Sequence, residues 1–159
     1  MKPEVRDIKE RKLIGMRINT SLSEDKTREL WQQFMPRKNE IRNNANSGYY
    51  SLQLFEKGFK IENFTPDTVF EKWAAVEVTD IDQIPSGMEM HDLAGGKYAV
   101  FIHQGTTNTF YKTSQYIFGT WLPQSDYELD DRAHFEIMGD KYLGPDNPNS
   151  EEEVWIPVK

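Results

Sequence analysis

No cysteine occurs in the 159 residues. That excludes disulfide staples, thiolate metal sites, thiol nucleophiles and CxxC redox chemistry. A chain of this length needs none of them, since it buries roughly two-thirds of its surface on folding, and it is the usual size of one domain. Histidine is scarce: His91, His103 and His134 stand far apart with no paired spacing, so no metal site is expected, and no cofactor. No apolar run approaches the ~20 residues that span a bilayer. The charged Met1–Lys12 segment lacks the apolar stretch of a signal peptide. The expected setting is cytoplasmic, with no membrane partner. Phosphate loops, nucleophile elbows and dinucleotide fingerprints are absent as well.

Basic charge is also in deficit. The formal net charge is −7, which argues against direct nucleic-acid contact, where a basic stripe would replace counterions. The acidic surface reads first as a solvated one, and second as a means of steering cations or of mimicking nucleic acid for a basic partner. Aromatics are plentiful, at 13% with four Trp and seven Tyr, which looks like more rings than a compact core requires.

The pattern predicts a strand over Lys12–Thr20, preceded by the alternating Val5–Ile8 region. A helix follows from about Glu24 to Pro36, with Leu30, Trp31, Phe34 and Met35 at helical spacing. Strands follow at Tyr49–Phe55 and Lys72–Thr79. After Asp80 the pattern restarts, with strands at Met88–Gly95 and Lys97–His103 and a helix from Thr107 to Pro123. Strands at His134–Met138 and Glu153–Val158 complete it, separated by the loop 139–151. Lys12-Leu-Ile-Gly-Met-Arg-Ile aligns with Lys97-Tyr-Ala-Val-Phe-Ile-His. Pro36 aligns with Pro123, and Trp73 with Trp155, at offsets of 85, 87 and 82 residues. The expected fold is α+β: one domain over residues 1–159, made of duplicated βαββ units at about 3–80 and 86–159.

Such units share an antiparallel sheet with two helices on one face. Strand parity sets Tyr50, Leu52 and Leu54 against Tyr49, Ser51 and Gln53, and Phe135 and Ile137 against His134, Glu136 and Met138. With the apolar sets turned to the helices, and with Ser51 aligned near the repeat equivalent of Glu136, both strands turn a semi-polar face to the far side. There they form a cleft with Trp73 and Trp155 at its sides. A carboxylate among rings suits a cationic or amphipathic ligand, and burial would raise its pKa.

Lys97-Tyr-Ala-Val-Phe-Ile-His-Gln-Gly105, Trp121-Leu-Pro-Gln-Ser125, His134-Phe-Glu-Ile and Trp155-Ile-Pro-Val-Lys159 resemble the GyrI-like small-molecule-binding family, also known as the AraC-type effector-binding domain. Trp73-Ala-Ala-Val-Glu-Val-Thr and Ile84-Pro-Ser-Gly-Met fit the same pattern, so the resemblance covers essentially the whole chain. It implies a duplicated fold with a central cleft, and a ligand-contacting glutamate that falls on Glu136. The family commonly has an aromatic two residues later, where this chain has Met138, so a wider or less cation-selective pocket is expected. Trp73 and Trp155 stand where family members often carry pocket aromatics. Some members are effector halves of regulators fused to a helix-turn-helix domain; here such a role is expected to need a separate partner. Others stand alone like the gyrase inhibitor, and a further group looks hydrolytic.

The expected function is therefore a stand-alone receptor or sequestering protein for small amphipathic or cationic compounds. The expected ligand-binding residues are Glu136, Trp73, Trp155, Tyr49, Ser51, Met138, His134 and Tyr98. No catalytic residue is assigned. Hydrolysis of reactive xenobiotics is the first alternative, with Glu136 as base and Glu77, His103 or Tyr98 assisting. An acidic module acting on a protein partner, in the manner of a gyrase inhibitor, is the second.

Overall fold

The computed structural model describes residues 1–159. Its strands are β1 (Glu4–Ile8), β2 (Arg11–Thr20), β3 (Tyr49–Leu54), β4 (Phe70–Val78), β5 (Glu89–Leu93), β6 (Gly96–Gln104), β7 (His134–Met138) and β8 (Glu151–Pro157). They form one antiparallel sheet in the order β1-β6-β8-β7-β3-β4-β2-β5. Helix α1 (Thr27–Phe34) is prolonged by a 3-10 turn, Met35–Glu40. Helix α2 (Phe110–Tyr116) runs on through a π turn, Ile117–Trp121, into Leu122–Gln124. The class is α+β, as expected. Each half opens with two strands, and the first of them, β1 or β5, pairs in the other half. No helix is long and apolar enough to cross a membrane.

The links dictate the shape. Strand β1 is one edge of the sheet and β2 is second from the other edge, yet only Lys9 and Glu10 join them. In a flat sheet six strand spacings would separate them, about 29 Å, and a two-residue link reaches only about 10 Å. The sheet must therefore curl until its edges meet. Ala94 and Gly95 impose the same closure between β5 and β6. The two links touch: a Cβ on Gly95 would lie 2.6 Å from the Ile8 oxygen and 2.9 Å from the Glu10 nitrogen. Only glycine permits that approach.

The inside of the curl is filled by a cluster that includes Leu13, Tyr50, Leu52, Trp73, Leu93, Tyr98, Phe135 and Trp155, all buried. Phe135 stacks on Tyr50 and Trp155 with centroids 5.7 and 5.2 Å apart, and Tyr98 meets both Phe135 and Trp155 edge-on. Many of the abundant rings are thus core. Arg11 donates a 2.8 Å hydrogen bond to the Tyr50 hydroxyl, which donates to Glu77 at 2.7 Å. Strand β4 carries the near-continuous buried run Lys72-Trp-Ala-Ala-Val76 because it is covered on both sides.

On the outer face α1 packs Leu30 and Phe34 over Ile14, Ala74 and Val76. The segment carrying α2 packs Phe110, Ile117, Phe118 and Trp121 over Ala99, Phe101, Val154 and Ile156. Helix α1 begins at Thr27, not Glu24, because the preceding side chains serve turn bonds: Ser21 Oγ accepts from the Glu24 amide, and Thr20 Oγ1 from the Lys26 amide. Pro36 opens the 3-10 turn, where its missing N–H costs nothing. Pro123 lies inside the final turn and does not end the helix. The wider π turn before it, closed by Leu122 N–H to the Ile117 oxygen, leaves room for the proline ring.

Candidate functional site

Strand registers locate the proposed residues. Ser51 lies opposite Glu136, Tyr49 opposite Met138 and Gln53 opposite His134 across the β3–β7 pair. Ser51 also faces Ala74, and Glu136 faces Val154, which in turn faces Phe101. The row Phe101–Val154–Glu136–Ser51–Ala74 therefore runs from the bed of α2 to the bed of α1 on the outer face. Strands β3 and β7 lie between the two helices, and their outward side chains form the floor of a shallow groove. Five expected residues meet there: Glu136, Ser51, Tyr49, Met138 and His134.

The other three do not. Trp155 pairs with Phe135, Trp73 with Leu52 and Tyr98 with Pro157, all of the opposite parity. Trp73, Trp155 and Tyr98 belong to the core inside the curl and cannot reach the Glu136 carboxylate. The expected cleft on the face away from the helices is likewise replaced by that filled core. Parity told which residues share a face; it did not tell which face the helices cover. Phe135 and Ile137 are apolar because the sheet closes on itself, an option that a flat two-layer picture lacks. Each indole nevertheless makes the same contact: Trp73 Nε1 donates to Glu71 at 2.6 Å and Trp155 Nε1 to Glu153 at 3.1 Å. Glu77 is tied to Tyr50 on the same inner side. His103 is buried in bonds to Thr113 and the Thr106 carbonyl, holding β6 to α2.

The groove floor is polar. Glu136 is nearly buried, its side chain 13% exposed, and Oε1 accepts a 3.1 Å bond from Gln53 Nε2. Lys72 Nζ lies 3.9 Å from the same oxygen, on a side chain only 10% exposed. Burial pushes the Glu136 pKa up, against the opposing effects of Lys72 and Gln53. Glu152, on the outward parity of β8, is pushed up to about 7 by burial and by the Glu136 charge. His134 is pulled down to about 4 by burial, between Phe55 and Phe118. Aromatic walls are supplied by Trp31 of α1, edge-on to Tyr49 at 6.4 Å, and by Phe118, stacked on His134 at 6.0 Å. Tyr142 stands near Glu152, and burial, with the Glu152 charge, raises its pKa. Two hollows lie outside the row of Glu136: about 440 Å³ at the loop Leu143–Asn149, and about 300 Å³ bordered by Lys38, Asn46 and Tyr49, which abuts the groove without containing Glu136.

The sequence reading missed Lys72, Gln53 and Glu152. Gln53 shared the parity of Ser51 and could have been included. Lys72 was visible only as a charged start to an apolar strand. Glu152 fell outside because β8 was expected to begin at Glu153.

A model of the GyrI-like small molecule binding domain matches residues 1–159. The transcriptional regulator BrlR of Pseudomonas aeruginosa is 29% identical over 146 residues, which is 92% of this chain and 51% of the regulator. The chain thus spans about half the length of that relative. Among solved structures, SAV2435 bound to tetraphenylphosphonium superposes with a TM-score of 0.71 at 18% identity, covering 100% of this chain and 94% of that one. A hydrolase from Listeria innocua, encoded by lin2189, gives 0.59 at 14% identity, over 99% and 92%. Likeness at these identities speaks for the fold, and the family match over every residue makes this chain a member of the GyrI-like small-molecule-binding family.

Proposed function

We propose that this chain binds small amphipathic compounds, cationic ones above all, in the groove between α1 and α2, and that it serves to sense or sequester xenobiotics. One observation carries the reading: Glu136 is a nearly buried carboxylate on a floor shared with Tyr49 and His134, against which Trp31 and Phe118 stand. A desolvated carboxylate favours a cation strongly, and each ring adds roughly 0.5–2 kcal/mol of cation–π attraction. The tetraphenylphosphonium held by SAV2435 is a ligand of this chemistry. Wild type and Glu136→Gln, heated with and without tetraphenylphosphonium, test the proposal. A ligand at a hundred times its Kd stabilises by about 2.7 kcal/mol, which moves Tm by about 5–10 °C in a chain of this size. Loss of most of that shift in the variant is expected, and no shift in the wild type across a panel of lipophilic cations refutes the reading.

One feature favours a second reading, hydrolysis of a reactive ligand. Glu136 and Glu152 are both pushed toward protonation on the same floor, Glu152 to about 7, which equips Glu152 to take and give a proton near neutral pH beside a second carboxyl. Turnover above one per chain, abolished by Glu136→Gln, would establish it.

A further inference from the structure

The groove floor is not simply anionic. Lys72 is 8% exposed, and its ammonium makes no hydrogen bond; its ion-pair contact is Glu136 Oε1 at 3.9 Å, and its charge is also felt at Glu152. A hydrogen-bonded ammonium–carboxylate pair closes to about 2.7–2.9 Å, so this pair is in contact but not bonded. No polar side-chain atom is sealed away without a partner in this protein. The Lys72 nitrogen therefore meets solvent at the groove surface, with its N–H donors free. The same holds for Glu136 Oε2 and for both oxygens of Glu152. The floor thus offers three unsatisfied functions: donors at Lys72, and acceptors at Glu136 and at Glu152.

Two costs follow. Lys72 and Glu136 have both lost most of their water, and a desolvated pair is well stabilised only when its remaining donors and lone pairs are also bonded. A ligand that is only a cation satisfies the carboxylates but brings a like charge toward Lys72 and leaves its donors open. A ligand with a basic nitrogen and an acceptor oxygen on one aromatic frame satisfies both.

We propose that Lys72 is a specificity-determining residue of the groove, and that the preferred ligands are dipolar aromatics. Their cationic group faces Glu136 and Glu152 and their carboxylate or carbonyl oxygen accepts from Lys72. This rests on the groove reading above and narrows its ligand class. The charges agree with it: Lys72 offsets Glu136, and Glu152 is left to answer the ligand's cation, with the acceptor bonded on the far side of the ion pair. Nothing in the sequence motif foretells this, because Lys72 lies 64 residues before Glu136 and reaches it only through the register Lys72–Gln53–His134 across β4, β3 and β7.

The test uses two dyes that differ by one ester. Rhodamine 110 has a free carboxylate and is zwitterionic; rhodamine 123 is its methyl ester and only a cation. Fluorescence anisotropy gives Kd for each with wild type, Lys72→Met and Lys72→Arg. The expected result is at least threefold tighter binding of rhodamine 110 by wild type, reversal of that preference in Lys72→Met, and its retention in Lys72→Arg. Equal binding, a preference for the ester in wild type, or an equal change for both dyes in Lys72→Met overturns the proposal, and the wild-type comparison stands even if a variant fails to fold. If neither dye binds while tetraphenylphosphonium still raises Tm, the dipolar preference is refuted and the groove reading stands. If tetraphenylphosphonium fails as well, both fall together.

Discussion

Two titrating residues give the groove a pH signature. Glu152 faces Tyr142, Glu136 and Lys72, with His103 as its register partner on β6. It loses its proton around pH 7 and is anionic above that. A cation that lowers this pKa by one unit binds about tenfold more tightly to the ionised form. Affinity for tetraphenylphosphonium should therefore rise from pH 6 to pH 8, and Glu152→Gln should flatten the rise in calorimetric titrations. His134 acts on stability instead. Its folded pKa of about 4 lies below the ordinary 6.5, so between these values the unfolded chain holds the proton and the folded chain does not. Stability from the neutral ring is complete above pH 6.5 and is lost as pH falls toward 4, by on the order of 3 kcal/mol. Urea unfolding across this range should show His134→Phe losing less stability than wild type on acidification, by about that amount. An equal loss in both would exclude His134 as the source.

At the scale of elements, the floor depends on how closely β2 and β4 approach. A Cβ on Gly15 would lie 2.1 Å from the Ala74 oxygen and 2.7 Å from the Ala75 Cβ. Backbone cannot yield as a flexible side chain does, so the pair would have to separate. Gly15→Ala should cost about 3 kcal/mol or more, read as a lower denaturant midpoint. Ligand affinity at the groove should fall with it, because β4 carries Lys72. The α2 segment shows the same coupling of element to site. Its π turn includes Phe118 on the groove wall, and Trp121, which is edge-on to Phe101 at 5.1 Å, so one irregular turn serves the wall and the core together.

At the scale of the molecule, closure of the sheet is the feature that sorts the inner core from the outer face proposed to bind ligands. Gly95 sits where the links Lys9–Glu10 and Ala94–Gly95 meet, far from Glu136 in the strand order. Gly95→Ala should push these links apart, lower Tm, and expose the inner aromatic cluster to quenchers of Trp73 and Trp155 fluorescence. A variant with unchanged Tm and quenching would mean that closure does not depend on this contact. The strand order also reads alike from its two edges, with β1, β6, β8 and β7 answering β5, β2, β4 and β3.

Much of this was decided by local chemistry. The 2.0 and 3.6 periodicities marked every strand and both helices, and parity alone put Ser51, Tyr49, Met138, His134 and Glu136 on one face, because alternation along a strand needs no partner to be read. Helix ends and the start of β8 were less legible, since turn bonds at Thr20 and Ser21 and the π turn near Pro123 depend on atoms that periodicity does not weigh. Only the tertiary structure decided which face is buried inside the curl and which lies between the helices. Two links of two residues force the sheet to close, closure turns Trp73, Trp155 and Tyr98 inward, and the polar parity is left outside between the helices. The pairing of Lys72 with Glu136 belongs to the same level: it is a consequence of register across three strands, and no local pattern in the chain encodes it.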